Sequence, residues 1–133
     1  GHTIVTDSGD ECYCGKRGCV ETVISGRALQ TYYRNISGRK LKFEEIYALK
    51  DSDKYAKETF DRLIIHFGKG LSNVVNILDP EVIVLGGGLS NIKELYSEGY
   101  KELKKYVFNP TFNTPIIRPK LGDSAGVYGA ALL

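Results

Sequence analysis

The sequence predicts an α/β fold with several helices, one parallel βαβ unit and a cysteine-rich loop. Over most of residues 19–80, apolar side chains recur at steps of three and four, which is the period of an amphipathic helix. Two aliphatic and β-branched runs, 82–85 and 116–121, flank a further helical segment and are predicted to be strands. All three cysteines and one of the two histidines lie within residues 2–19.

Helices dominate the first part of the chain. The apolar stripe of residues 19–33 predicts one continuous amphipathic helix, and residues 43–49 predict a short one. The polar turn 51–53 offers N-caps to a long helix, which we expect to end near residues 79–80. Two glycines inside this long helix indicate close packing against a neighbour: Gly68 and Gly70.

A strand, a helix and a second strand follow in that order in the last third of the chain. The run 82–85 is predicted to be a strand buried on both faces, and three glycines stop it. Helices are predicted over 91–107 and over 122–133. Because strands joined by a helix pair in parallel, we expect a βαβ unit. Potential N-caps of these helices are Ser90 or Asn91 for the first and Asp123 or Ser124 for the second.

The composition narrows the range of functions. The 18 basic and 16 acidic residues give a formal charge of +2 and are spread along the chain, so we expect no nucleic-acid partner. No apolar run reaches the ~20 residues of a membrane span, which favours a cytoplasmic protein without a membrane partner. The chain contains no methionine, and its last residues still have a helical pattern. We therefore expect it to be a piece of a longer protein.

Four soft side chains near the start match the Cys₃His set of a tetrahedral structural zinc site. Three cysteines cannot all pair within one chain, and Gly15 and Gly18 allow the loop to turn back sharply. The alternative is a group of cysteines without a metal, or a Cys-x-Cys redox pair, with the histidine unrelated to them. The candidate zinc ligands are His2, Cys12, Cys14 and Cys19.

Several segments resemble one protein family. Gly1-His2, "CYCGKRGCVE" and "SGRAL" are similar to the signature of the ROK family of sugar kinases and sugar-responsive repressors, and "DPEVIVLGGGLS" and "GDSAGVYGAALL" resemble later parts of it. The resemblance implies an actin-like, ribonuclease-H-like ATPase fold of two α/β domains, with this chain as part of the carboxyl-terminal domain. We expect a zinc loop in 1–19, a helical region in 20–80, and the βαβ unit with the final helix in 81–133.

The resemblance also implies roles for individual residues. His2 would bind zinc through one ring nitrogen and a sugar hydroxyl through the other, and Glu21 would bind further sugar hydroxyls. Gly86, Gly87 and Gly88 would let the backbone approach ATP, which acts together with Mg²⁺. The implied substrate is a hexose or an amino sugar, and the complete protein is expected to be a homo-oligomer.

The function implied by the resemblance is that of a glucokinase- or fructokinase-type enzyme, which transfers the γ-phosphoryl group of ATP to a sugar hydroxyl. The family's phosphate loop, its catalytic aspartate and the glutamate before the Gly-His pair are absent from residues 1–133, so we expect this chain alone to be inactive. One alternative is the sugar-sensing domain of a ROK repressor. Another is a self-contained, zinc-stabilised interaction module.

Overall fold

The helices and strands occur in the predicted order. A computed structural model describes residues 1–122 and 125–132, so the predicted caps Asp123 and Ser124 lie outside the described residues. None of the helices in these ranges combines the length and the apolar character needed to cross a bilayer. The elements are α1 (Val20–Ile24), α2 (Gly26–Ser37), α3 (Phe43–Ala48), α4 (Lys54–Leu78), β1 (Ile83–Val84), α5 (Glu98–Lys104), β2 (Ile116–Ile117) and α6 (Ala125–Ala131).

The prediction of one helix over residues 19–33 is wrong, because two helices occupy this region. The backbone leaves the helical conformation at Ser25, which has φ −65° and ψ 152°. The Ser25 hydroxyl accepts a hydrogen bond from the backbone N–H of Ala28 at 3.2 Å and so caps α2. Ile24 and Leu29, on either side of the break, contact the same core cluster. The apolar pattern therefore continues across the break at Ser25 and gives no sign of it.

The predictions for α3 and α4 are confirmed to within a residue. The Asp53 carboxylate caps α4 by accepting hydrogen bonds of 2.9 Å from the first backbone N–H groups of the helix. Asp79 ends the helix in the left-handed conformation, with φ 42°. The close packing predicted at Gly68 is also confirmed, since a Cβ at this position would lie 2.9 Å from the backbone of Glu102 in α5.

The helix predicted over 91–107 is wrong in its first half. The Ser90 hydroxyl donates a hydrogen bond of 2.7 Å to the carbonyl of Gly87, which closes a turn instead of capping an α-helix. Two 3₁₀ turns therefore precede α5, Gly88–Asn91 and Lys93–Tyr96. The apolar residues that suggested a continuous helix are buried all the same: Ile92, Leu95 and Leu103.

The two strands pair in parallel, as predicted. Ile83 pairs with Ile116, and Val84 pairs with Ile117; over the described residues the sheet consists of these two strands. The expectation that the first strand is buried on both faces is wrong, because Val84 is 55% exposed. Alternate residues of a strand face opposite ways. Ile83 and Ile116 pack against a core cluster, whereas Val84 and Ile117 face outward.

The long helix α4 is the centre of the core, since α1, α2, α3 and α5 all pack against it. Val23 of α1 is fully buried. Because α1 directly follows Cys19, the cysteine-rich loop is carried by a packed helix. The main core cluster consists of Leu29, Phe43, Phe60, Leu63, Ile64, Phe67, Ile92 and Leu95.

Candidate metal centre

Backbone pairing holds the first residues of the chain against the start of α1. An antiparallel bridge joins Ile4 and Cys19. The Cys19 sulfur lies 3.6 Å from the carbonyl oxygen of His2, so this pairing carries His2 to the side of Cys19. Three backbone hydrogen bonds of 2.8 to 2.9 Å complete it, from Val5 N–H to Gly18, from Val20 N–H to Thr3 and from Glu21 N–H to Gly1.

Glycine is required where this loop crosses itself. Gly18 has φ 71°, and a Cβ on it would lie 1.7 Å from the carbonyl oxygen of Thr6. A Cβ on Gly9 would lie 2.2 Å from the Cα of Gly18. Gly15 has a similar φ of 83°, but a Cβ there meets nothing within 4 Å. Gly18 is therefore fixed by both conformation and space, and Gly15 by conformation alone.

The four predicted ligands are brought together, with their donor atoms all within 4.8 Å of one another. Cys12 Sγ lies 3.4 Å from His2 Nδ1, and Cys14 Sγ lies 3.6 Å from Cys19 Sγ. A zinc tetrahedron built on ordinary Zn–S and Zn–N bond lengths has edges of about 3.5 to 3.8 Å. None of the three sulfurs within the described residues is in a disulfide. Two of the donor pairs lie close to these edge lengths, and the set is compact enough to close around a zinc ion.

The surroundings of the sulfurs differ. A hydrogen bond from the Lys16 backbone lowers the pKa of the Cys14 thiol to about 6, which favours the thiolate that binds metals. Burial raises the pKa of the Cys19 thiol to about 11. A buried thiol of this kind loses its proton when a cation is bound beside it, so metal binding and deprotonation are coupled at Cys19.

Sequence reasoning missed one contact of this centre, between Tyr13 and His2. Tyr13 Oη lies 2.8 Å from His2 Nε2, the ring nitrogen that does not face the cysteine sulfurs. Tyr13 occupies a turn in which Gly15 N–H donates to the Cys12 carbonyl at 2.9 Å, and its side chain is 85% exposed. The available signal was the position of a tyrosine between two candidate ligands.

Glu21 lies beside the metal centre on the first turn of α1, with an exposed side chain. One of its carboxylate oxygens is 3.4 Å from the position of a Cβ on Gly1, the neighbour of His2. A cleft of about 360 Å³ is lined by Glu21 and Tyr13 together with polar side chains that include Asp10 and Arg27. The predicted sugar-contacting carboxylate and the metal loop therefore border the same cleft.

The three predicted nucleotide-contacting glycines belong to a different part of the chain. Gly86, Gly87 and Gly88 follow β1 and are exposed, and a Cβ on any of them would meet nothing within 4 Å. Gly87 has φ 78°, a conformation that favours glycine. The backbone here is thus open to a ligand at the carboxyl end of a parallel strand, where α/β sheets bind them.

A second cleft, of about 440 Å³, contains none of the predicted site residues. It lies between residues 4–7 and the second half of α4, with Lys69, Asn76 and Tyr106 among its lining side chains. Its larger volume does not make it the better candidate, because Glu21 and Tyr13 line the other cleft and neither lines this one.

A family model described as the ROK family matches residues 1–133. The chain belongs to the ROK family. The resemblance found in the sequence is thereby confirmed, and with it the assignment to the actin-like ATPases of which ROK proteins are members. The observed parallel strand pair with its helices agrees with an α/β fold of that kind.

Individual curated proteins are similar over nearly the whole chain. The N-acetyl-D-glucosamine kinase of Vibrio atlanticus (strain LGP32) is 40% identical over 123 residues, which are 92% of this chain and 41% of that protein. The chain therefore spans about two fifths of the length of such curated relatives.

Solved ROK structures share the fold. The ROK hexokinase from Thermus thermophilus is 30% identical with a TM-score of 0.85, covering 99% of this chain and 45% of that one. A ROK glucokinase from Streptomyces griseus, in complex with glucose and AMPPNP, is 27% identical with a TM-score of 0.81, covering 98% and 49%. A ROK transcriptional regulator, a homologue of the E. coli MLC protein, is 25% identical with a TM-score of 0.73, covering 89% and 33%.

Proposed function

We propose that this chain is the part of an ATP-dependent ROK sugar kinase that carries the zinc centre and the sugar-binding loop, within the carboxyl-terminal domain. The observation that carries the proposal is that one loop brings His2 and three cysteine sulfurs together, directly before the helix whose first turn contains Glu21. The similarity to an N-acetyl-D-glucosamine kinase, a hexokinase and a glucokinase supports kinase chemistry for the complete protein.

Zinc has a structural role in this proposal. With three sulfurs and one imidazole nitrogen, the ion has a full tetrahedral set, and such closed sites stabilise a fold rather than activate water. When bound, zinc links the amino-terminal residues to the start of α1. His2 Nδ1 faces the sulfurs, so the imidazole is fixed with Nε2 directed away from them.

The sugar is proposed to bind through the Nε2 atom of His2 and the carboxylate of Glu21. An exposed carboxylate can accept hydrogen bonds from two adjacent sugar hydroxyls. The cleft of about 360 Å³ beside Glu21 has room for a monosaccharide, and its polar lining suits a hydroxylated ligand. The proposed substrate class is a hexose or an amino sugar, with N-acetylglucosamine and glucose as the first compounds to test.

The nucleotide is proposed to contact Gly86, Gly87 and Gly88. Their exposed backbone at the end of β1 allows the phosphates or the adenosine of ATP to approach closely. Mg²⁺ accompanies the ATP phosphates. The catalytic base is assigned to none of the residues 1–133, because the family motif that contains it has no counterpart among them.

The main alternative is the sugar-sensing domain of a ROK repressor. The similarity to a ROK transcriptional regulator favours it, since the same zinc loop and sugar site would serve a sensor. ATP-dependent phosphorylation of a sugar by the complete protein separates the two functions. A repressor would bind the sugar without turnover.

The sugar site is tested by the substitution Glu21→Gln in the complete protein. We expect kcat/KM for the preferred sugar, chosen among N-acetylglucosamine, glucose and fructose, to fall about 10- to 100-fold, because the amide cannot form the charge-assisted hydrogen bonds of the carboxylate. The matched control is Glu44→Gln, another exposed first-turn glutamate, on α3. Equal activities of the two variants would contradict the assignment of Glu21.

A further inference from the structure

The hydrogen bond between Tyr13 and His2 is a contact that the proposed function leaves unused. The distance from Tyr13 Oη to His2 Nε2 is 2.8 Å. The two rings meet edge to face, with centroids 4.9 Å apart and planes at 83°. The other ring nitrogen, Nδ1, lies 3.4 Å from Cys12 Sγ, on the side of the donor cluster. The imidazole thus connects the metal ligands to a tyrosine hydroxyl.

The orientation of His2 decides which atom donates. An imidazole that binds a cation through Nδ1 is neutral and carries its proton on Nε2. With a cation bound at Nδ1, Nε2 would therefore donate and the Tyr13 oxygen would accept. A sugar hydroxyl bound to His2 would accept the same proton, at the same nitrogen. A metal-bound histidine almost always has a partner for its second nitrogen, and here a side chain of the loop itself supplies that partner.

Tyr13 is placed so that its hydroxyl can leave without disturbing the ligands on either side. Its side chain is 85% exposed. The backbone around it is fixed by hydrogen bonds from Gly15 N–H to the Cys12 carbonyl at 2.9 Å and from Cys12 N–H to the Lys16 carbonyl at 2.7 Å. Rotation about the Tyr13 side-chain bonds therefore moves the hydroxyl while the turn stays in place. An exposed hydrogen bond of this kind is readily replaced, because other hydroxyl groups compete with it.

We propose that the Tyr13 hydroxyl is a placeholder for a sugar hydroxyl at His2 Nε2, and that a sugar displaces it on binding. The inference rests on the proposed function, since it needs a sugar at His2. Tyr13 and Glu21 line the same cleft, which places the tyrosine beside the carboxylate proposed to hold the sugar. Tyr13 is thus a positioning residue that sets the affinity for sugar, and not a catalytic residue.

The test is Tyr13→Phe in the complete, zinc-loaded protein, which keeps the ring and removes the competing oxygen. We expect the Kd for N-acetylglucosamine or glucose, measured by isothermal titration calorimetry, to fall about 2- to 10-fold. KM should fall in parallel while kcat stays unchanged. The matched control is Tyr32→Phe, which removes a tyrosine hydroxyl that donates to Glu58 at 2.7 Å, and it should leave the Kd unchanged.

Each other outcome contradicts the proposed role of Tyr13, and the outcomes can be told apart. If Tyr13→Phe binds sugar equally or more weakly while the unsubstituted protein binds it, the placeholder is wrong and the proposed sugar site stands. If Tyr13→Phe loses zinc, its hydroxyl supports the metal centre and does not stand in for sugar. If the zinc-loaded, unsubstituted protein binds neither sugar, the proposed function fails, and the placeholder fails with it.

Discussion

At Gly18 the backbone of the loop passes so close to Thr6 that a Cβ would lie 1.7 Å from the Thr6 carbonyl oxygen. Cys19, one of the candidate ligands, follows directly, so any displacement of residue 18 moves a sulfur of the donor set. The candidate metal centre therefore depends on a residue that provides no donor atom. Cys12 and Cys19 are buried within the loop, and they tolerate little rearrangement.

We expect Gly18→Ala to abolish zinc binding. The added methyl group forces the backbone to separate at the crossing, and the φ of 71° is also unfavourable for alanine. Zinc content, measured by atomic absorption, should fall from about one ion per chain to near zero, and the Tm should fall as well. The control is Gly15→Ala, where φ is 83° but the space is open. A Gly18→Ala protein that retains zinc as Gly15→Ala does would refute this prediction.

The residues of the site differ in how far the sequence specifies them. The clustering of His2, Cys12, Cys14 and Cys19 could be predicted because ligand type and spacing restrict a metal site strongly. The position of Tyr13 between two candidate ligands places it near the site, but its contact with His2 depends on a side-chain orientation at the corner of a turn and could not be predicted. Sequence pattern carries no information on that angle.

Single serine hydroxyls lie where two predicted helices break, and this limits what periodicity can predict. The Ser25 hydroxyl caps the start of α2, and the Ser90 hydroxyl closes a 3₁₀ turn ahead of α5. The apolar pattern passes through both positions, because burial against α4 continues there. The sequence therefore predicted that these segments are helical and buried, but it did not predict that the helices break near Ser25 and Ser90.

Close approach between α4 and α5 gives a prediction about helix packing. A Cβ at Gly68 would lie 2.9 Å from backbone and side-chain atoms of Glu102. We expect Gly68→Ala to destabilise the protein by about 1 to 3 kcal/mol, because two packed helices must separate. The free energy of unfolding from urea denaturation measures this change.

The control for this prediction lies half a turn away on the same helix. A Cβ at Gly70 would lie 3.3 Å from a methyl group of Val20, which can shift, so Gly70→Ala should change the stability by at most about 1 kcal/mol, with a gain from helix propensity. If the two variants are equally stable, close helix packing does not explain the glycine at position 68.

The strands of the sheet are more exposed than their aliphatic sequences predict. A run of aliphatic residues predicts burial on both faces, yet Val82 and Val84 are 48% and 55% exposed, and Ile117 is 43% exposed. The described helices cover one face of the β1–β2 pair and leave these side chains outward. The parallel topology followed from the order of the elements, but the covering of the second face depends on contacts that strand patterns do not specify.

Residues 1–133 contain the candidate zinc and sugar contacts but not the family's catalytic motif, which gives a prediction for these residues produced alone. Phosphoryl transfer needs a positioned base and phosphate-binding groups in addition to sugar contacts, and the 133 residues include no counterpart of the family's phosphate loop or its aspartate. We expect this polypeptide to bind about one zinc ion through its Cys₃His set and to show no ATP-dependent phosphorylation of glucose, fructose or mannose in a coupled assay.

The zinc content serves as the control for folding, and the complete protein serves as the control for the assay. Turnover by the zinc-loaded 133-residue chain would mean that a base within these residues performs the reaction, and the assignment of His2 and Glu21 to binding alone would have to be abandoned.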